Sequence, residues 1–374
     1  MSEQETQDIS LALSGGGIRA MVFHLGVLKC MSELRLLERV ARISTVSGGS
    51  LVTGLVYQEC GLVWPSSEQF LSAVYPALRE RLCARSLQWG ALRQLCNPWN
   101  LRFALSRANL LAQALSAEWG IDCHLSDLPA VPEWSINGTT AENGKRFRFK
   151  RHDFGDYELG YASAAGFPLA SALAVSAAFP GGFGPLALNA ANHKWRKRPW
   201  DAPPGSEQYV TPKHARLHLY DGGVYDNLGL EPFFDSGKQK SKQRDDCIIV
   251  SDAGSPLPKG FSLGPLNPFR LKRVADIMSD QARALRVRAF ANYVQGGGHR
   301  GAFLYISQPV TAAADCPNAE YAALFPTTLR RLRAVEFDRL AAHGYDVART
   351  VERLYGLGGA PAAPKGSSRA ELST

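Results

Sequence analysis

The sequence predicts an α/β fold: a three-layer sandwich with a largely parallel central sheet covered on both faces by helices, and a helical stretch at about 62–128. Three observations carry this expectation. DISLALSGGGIRA runs from an apolar strand through three glycines into a helical pattern. ARISTVSGGSLVTG repeats strand, sharp turn and helix further on. Beyond it, segments of strand type and helical type take turns, the pattern of a parallel sheet with crossover helices.

Taken in chain order, the first strand covers residues 8–13, and GIRAMVFHLGVLKCMSELRLLERV carries apolar residues at helical spacing through Leu37. A short strand ends at Val46, and a second helix follows the turn. Residues 62–128 read as helical segments bearing Trp64, Trp89, Trp99 and Trp119, with no convincing strand, and so as an insertion or cap on the core. Strands resume with EWSINGTT and RFRFKR, then RLHLYDGG, CIIVSDAG and AFLYIS. PLASALAVSAAF and RVADIMSDQARALRVRAFANYV read as helices between them. DSGKQKSKQRDD, residues 235–246, reads as a charged, solvated loop. Residues 1–355 are expected to form one domain, and 356–374, rich in Gly, Ala, Pro and Ser, a disordered tail.

With 45% hydrophobic and 20% charged residues, the composition supports a sizeable core and argues against a disordered chain. MSEQETQDIS lacks the basic start and apolar stretch of a secretory signal, and no window reaches the roughly 18 apolar residues of a spanning helix. The expectation is a cytoplasmic protein, free to lie on a membrane without crossing it. Seven cysteines without a CxxC pair suggest reduced thiols, and neither a metal site nor a cofactor is expected. A net charge of +8 favours an anionic partner such as phospholipid headgroups, nucleic acid or an acidic substrate.

Three glycines between strand and helix let main-chain N–H groups approach an anion closely, at the positive end of a helix dipole. Arg19 in the first turn opposes that dipole, which calls for a negative group nearby. The anion could be a nucleotide phosphate or a transient oxyanion, and a plain tight turn would use the same residues. GGGIRA matches neither GxGxxG nor GxxxxGK[ST], which weakens the nucleotide reading. TVSGGS places Ser47 at a bend before Gly48 and Gly49, similar to the nucleophile elbow GxSxG, with Thr45 where that motif has its first glycine.

A neutral serine hydroxyl needs a base. His24 falls within a helix and His193 in a basic loop; His299 and His343 have the chain order of an α/β-hydrolase triad. His124, His152, His214 and His218 complete the set, and the residues alone exclude none of them. Asp221, between a strand and two glycines in LHLYDGGVYDN, is another candidate, and Asp252 in CIIVSDAG is its rival.

GGGIRA, the serine elbow and the later DGG, together with HLGVL, ASALAVSAAFPGGFGPL (170–186) and DGGVYDNLGL, resemble the patatin-like phospholipases over about residues 8–255. The resemblance implies a lipid acyl hydrolase with a Ser-Asp dyad. It assigns Ser47 as nucleophile, Asp221 as its base, Gly15, Gly16 and Gly17 with Gly48 as the oxyanion loop, and Arg19 as that loop's basic residue. It also implies a lipid substrate, with the tryptophan-bearing helices as candidates to shape an acyl channel. Thr45 departs from the family pattern and implies a more open elbow or a tilted strand.

HKWRKRPW, residues 193–200, interleaves Trp195 and Trp200 with Lys194, Arg196, Lys197 and Arg198. Rings beside cations suit a headgroup interface. The same composition suits single-stranded nucleic acid, a partner the lipid reading disfavours. Other readings are an esterase or thioesterase for small soluble substrates, and a catalytically silent protein that binds lipid or nucleic acid.

Overall fold

The computed structural model describes residues 7–103, 106–180, 182–243, 247–261, 264, 267, 269–296, 301–310 and 317–358. The tail from 359 onward, His299 and Cys316 lie outside them. The chain opens with β1 (Ile9–Leu13), α1 (Gly17–Glu33), β2 (Val40–Thr45) and α2 (Gly48–Glu59). Helices α3 (Ser67–Gln69), α4 (Tyr75–Ala84), α5 (Leu87–Gln94) and α6 (Ala108–Trp119) follow, with no strand among the described residues of that stretch. Then come β3 (Glu133–Thr140), β4 (Arg146–Phe149), β5 (Asp153–Asp156), β6 (Gly160–Ser163), α7 (Leu169–Ser176), β7 (Leu186–Asn189), β8 (Trp195–Lys197), β9 (Gln208–Val210) and β10 (Arg216–Asp221). The last part holds α8 (Gly223–Asp226), β11 (Phe234–Asp235), β12 (Lys240–Ser241), β13 (Cys247–Asp252), α9 (Phe269–Gln295), β14 (Gly301–Tyr305), α10 (Pro317–Leu324) and α11 (Ala334–Tyr355).

The main sheet is mixed, in the order β14-β13-β1-β2-β3-β4-β5-β6-β8-β9, and β14 through β3 run parallel. From β3 outward every pairing is antiparallel. The parallel part thus forms one half of the sheet, from β14 to β3, and the meander beyond it is built from strands of three or four residues. Such strands show too few alternations to be read from sequence. The stretch expected as a charged loop begins with the small β11–β12 hairpin, and residues 244–246 lie outside the description.

Alternation along the buried strands builds two cores. Ile9, Leu11 and Leu13 of β1 join Ile249 of β13 in a cluster with the side chains of α1, α2, α7 and α11. Ala12, Ile248 and Val250 face the other way, onto Phe234 and Phe290 of α9. Neither β1 nor β13 exposes a residue, as expected of parallel strands covered on both faces.

The chain leaves β1 toward β2 and β3 on one side, and later adds β13 and β14 on the other. β1 is thus the point where strand order reverses, and open α/β sheets bind ligands outside the carboxyl ends of strands at such a point. The glycine loop lies there. Among the described residues, no helix is long and apolar enough to cross a membrane.

Candidate active site

Ser47 caps α2 immediately beyond β2, with φ 50° and ψ −118°, a backbone conformation that costs a serine on the order of 1–3 kcal/mol. The surrounding contacts hold it there. Ser47 N–H donates to Ser176 Oγ (3.0 Å), and Gly49 N–H donates to Val46 O (2.9 Å) and Ser14 O (3.2 Å). A Cβ on Gly49 would lie 2.4 Å from Leu13 O, so only glycine lets α2 pass so close to the end of β1. Thr45 is held by its hydroxyl, which accepts from Trp134 Nε1 (2.9 Å) and bonds Ser50 Oγ (2.7 Å). Ser50 in turn bonds Ser176 (2.7 Å), so a buried line of hydroxyls runs from β3 to the Ser47 amide.

Asp221 arrives at the same place by strand registry. β2 and β10 lie along the same edge of β3, end to end: Thr45 sits opposite Ile136, and Asp221, running the other way, opposite Gly138. Two positions along β3 separate those partners, roughly 7 Å. The ends of β2 and β10 therefore face each other, which brings the Ser47 hydroxyl close enough to the Asp221 carboxyl to lower its pKa. Asp221 is 3% exposed, and its Oδ1 accepts from Gly223 N–H at 2.7 Å. Burial raises its pKa to about 7, against the Gly223 hydrogen bond and the Ser47 hydroxyl, which lower it.

The three glycines divide the work. Gly15 gives its N–H to Asn227 O (3.2 Å), which corrects its expected place among the oxyanion donors. It serves by lacking a side chain: a Cβ there would meet Asn227 Oδ1 at 2.4 Å and Ser47 Cβ at 3.0 Å. Gly16 (φ 148°) and Gly17 (φ 62°) turn the chain into α1 through conformations that disfavour side chains. Gly48 packs against Gly17, where a Cβ would sit 2.3 Å from Gly17 O, so the N-termini of α1 and α2 converge beside Ser47. Neither helix carries an acidic residue in its first turn, and both positive ends point at one spot.

Arg19 turns away from that spot, which corrects its expected role in substrate contact. Its guanidinium is buried, donating to Ala253 O (3.1 and 3.3 Å), Phe325 O (2.6 Å) and Ser255 Oγ (3.1 Å). Burial lowers its pKa to about 10, and nearby Asp252 opposes the shift, so the negative neighbour its position called for is the protein's own. It ties the glycine loop to the segment after β13.

Asp252, the rival carboxylate, is held by Arg283 Nε (2.8 Å) and Gly254 N–H (2.9 Å). His24 is buried between Ser251 Oγ and Ser14 O, and burial lowers its pKa to about 4, so it stays neutral. His343 is buried on Ile306 O, and His218 pairs with Glu142.

Three contributors carry little sequence signal. Asn227 fills the space between Gly15, Gly223 and Gly254. Ser176 holds the Ser47 amide, and Asn137 donates to Ser44 Oγ and Thr45 O (both 2.9 Å), fixing the end of β2. Asn227 lies inside the quoted DGGVYDNLGL and could have been found there; the other two are ordinary-looking polar residues in apolar runs.

The basic aromatic segment is split by β8. Trp195 is 2% exposed, donates Nε1–H to Ala190 O (2.8 Å) and packs on Phe154, so it is a core residue and not an interfacial one. Strand alternation turns Arg196 outward onto the Tyr209 ring, and Trp200 stands 96% exposed. Of the four tryptophans before residue 128, Trp119 is buried and Trp64 half-buried against Tyr57, whereas Trp89 and Trp99 face outward. Among the described residues no group of His, Cys, Asp or Glu is placed to hold a metal ion.

The sequence model of the patatin-like phospholipases matches residues 11–234, more than half of the chain. No curated protein matches it. Among solved structures the fold is similar to human GIVD cytosolic phospholipase A2, with TM-score 0.53 and 17% identity over 94% of this chain and 59% of that one. The same human protein in complex with methyl γ-linolenyl fluorophosphonate gives TM-score 0.50 and 17% identity, over 94% of this chain and 58% of that one. This chain thus spans less than two thirds of that protein's length.

Proposed function

The chain belongs to the patatin-like phospholipase family, and from that premise we propose that it is a serine acyl hydrolase cleaving fatty-acyl esters of membrane lipids through Ser47 and Asp221. The supporting observation is the meeting of the β2 and β10 ends, which sets Ser47 beside a buried carboxyl whose pKa burial raises to about 7, next to two helix N-termini. In this reading Ser47 Oγ attacks the ester carbonyl as Asp221 accepts its proton. The negative oxygen faces the N–H groups of Gly16, Gly17 and Gly48. Collapse expels the alcohol, which takes the proton from Asp221. Water then attacks the acyl-serine, Asp221 accepts its proton and returns it to Ser47 Oγ, and the fatty acid leaves. A single donor of this kind contributes roughly 3–4 kcal/mol to barrier lowering.

An apolar rim supports an acyl substrate: Phe179 and Val224 are exposed, and Asp221 N–H bonds Ala178 O beside the first of them. Arg196, Arg198 and Trp200 belong to this proposal as surface candidates for headgroup contact.

A fluorophosphonate probe tests the reading. The adduct is expected on Ser47 by peptide mass spectrometry, with fatty acid released from phospholipid vesicles. An unlabelled Ser47 peptide after full exposure would sink it. Turnover of short monomeric esters with no rise above the micellar threshold would favour an esterase for soluble substrates instead.

The glycine loop yields a second test. In Gly15→Ala the new methyl displaces either the Asn227 amide or Ser47 itself, and a shift of that size costs about 100-fold in turnover. Esterase kinetics alongside a thermal melt check this. Turnover within a factor of three of the parent would mean that the space above Ser47 is not part of the reaction site.

A further inference from the structure

The helix α9 is amphipathic the wrong way round for a protein surface. It crosses from β13 to parallel β14 and so runs against the strands, with its C-terminal half covering the sheet through Phe290. Arg283, midway along it, meets Asp252 at the carboxyl end of β13. The residues before Arg283 therefore extend past the strand ends, on the side where Ser47 lies. From Arg283 back to Leu271 that overhang is about 18 Å.

Along the overhang Leu271, Val274 and Met278 fall on one helix face, which Leu285 continues past Arg283, and all four are exposed, Leu271 to 79% and Met278 to 68%. The half-buried positions of the inner side include Arg273, Asp276, Asp280 and Arg283. Water-facing helices carry the opposite arrangement, and an apolar stripe left in solvent marks a contact surface. Exposed Phe261 extends the patch beside Arg270. The helix carries six basic residues against Asp276 and Asp280; Arg270, Lys272 and Arg273 lie on the overhang, Lys272 paired with Asp276, while Arg283 pairs with Asp252 and Arg286 lies near Asp226.

The stripe is physically continuous with the site. The Arg286 guanidinium lies over Tyr225 and 3.8 Å from Asp226, in the turn after Asp221. A Cβ placed on Gly254 would have Asn227 Nδ2 and Arg283 Nε as neighbours, and Asn227 is the residue that abuts Gly15.

We propose that the overhanging half of α9 seats in the headgroup region of an anionic bilayer, its leucine and methionine stripe among the acyl chains and its cations among the lipid phosphates. The chain's net charge of +8 selects this occupant over a second copy of the chain, which would bring the same charge to the contact. This placement rests on the lipid-hydrolase reading, because it sets the mouth of the site against its substrate.

The experiment separates the two claims by measuring binding without turnover. Ser47→Ala protein is mixed with vesicles of phosphatidylglycerol and phosphatidylcholine, or of phosphatidylcholine alone, with and without the added changes Leu271→Gln, Met278→Gln and Leu285→Gln. Glutamine keeps helix propensity. The expected result is sedimentation with anionic vesicles that falls at least about tenfold in the triple variant and on neutral vesicles. With Ser47 restored, the triple variant should hydrolyse a soluble monomeric ester as the parent does. Undiminished vesicle binding by the triple variant overturns the proposal, as does a parent dimer that the triple change converts to monomer without altering vesicle binding. If vesicles bind through α9 but no ester of any kind is cleaved, the hydrolase reading falls and the surface stands.

Discussion

Ser47→Ala should fold as the parent does and release fatty acid from phospholipid vesicles about 10⁴-fold more slowly or worse, because removing a nucleophile that acts as one unit with its base forfeits nearly all of the pair's effect. The fold is expected to survive because the bonds that shape the elbow are main-chain at this position. Ser47 N–H to Ser176, Gly49 N–H to Val46 and Leu51 N–H to Ser47 O all persist in alanine. Circular dichroism, a thermal melt and titration of released acid check both halves. Residual turnover above about one per cent of the parent, in a variant that melts normally, would assign the chemistry to another group.

Asp221→Asn should separate activity from stability. Turnover should fall on the same scale as for Ser47→Ala, since asparagine cannot take the proton. Stability should rise, and the sign follows from the shift. Burial raises the folded pKa of Asp221 to about 7 from the ordinary carboxyl value of about 3.9, so the folded state prefers the neutral acid. Its contribution to stability is fully present below pH ~4 and is lost as the pH climbs to about 7 and beyond. Three pH units correspond to on the order of 4 kcal/mol as an upper bound, and asparagine avoids that loss. The variant should therefore melt a few degrees above the parent at pH 8 and together with it near pH 4. The parent's turnover should rise with pH through about 7 as the base ionises. A variant less stable than the parent at pH 8 would mean that the carboxylate is stabilised in place and is not a strained, poised base.

Much of this was legible in the sequence, for identifiable reasons. β1, α1, β2 and α2 are long or sharply punctuated, and glycine leaves a mark wherever main chains nearly touch, as at Gly49 over Leu13 O. Asp221 and Asp252 each follow a strand and look alike in the sequence, and only the family resemblance set one above the other. The misreadings concern direction. Arg19 and Trp195 were recognised as unusual residues, but whether a side chain turns toward solvent or toward Ala253 and Ala190 depends on partners more than two hundred residues away in one case and on a three-residue strand in the other. Thr45 looked like a defect in an elbow motif because Trp134 and Ser50, which use its hydroxyl, lie on other elements. The stripe on α9 has helical periodicity that any reader would turn inward. Only the overhang past the sheet reveals that, among the described residues, its apolar side chains stay exposed.

The anchoring of the glycine loop sets an order on biosynthesis. Gly17 and Ile18 lie against Thr328, and Arg19 holds the carbonyls of Ala253 and Phe325, all downstream of the span that matches the family. A nascent chain that has already delivered Ser47 and Asp221 still lacks the clasp that fixes its donors. On the proposed reading, the main-chain donors beside Ser47 are fixed only after Ala253, Phe325 and Thr328 have left the ribosome.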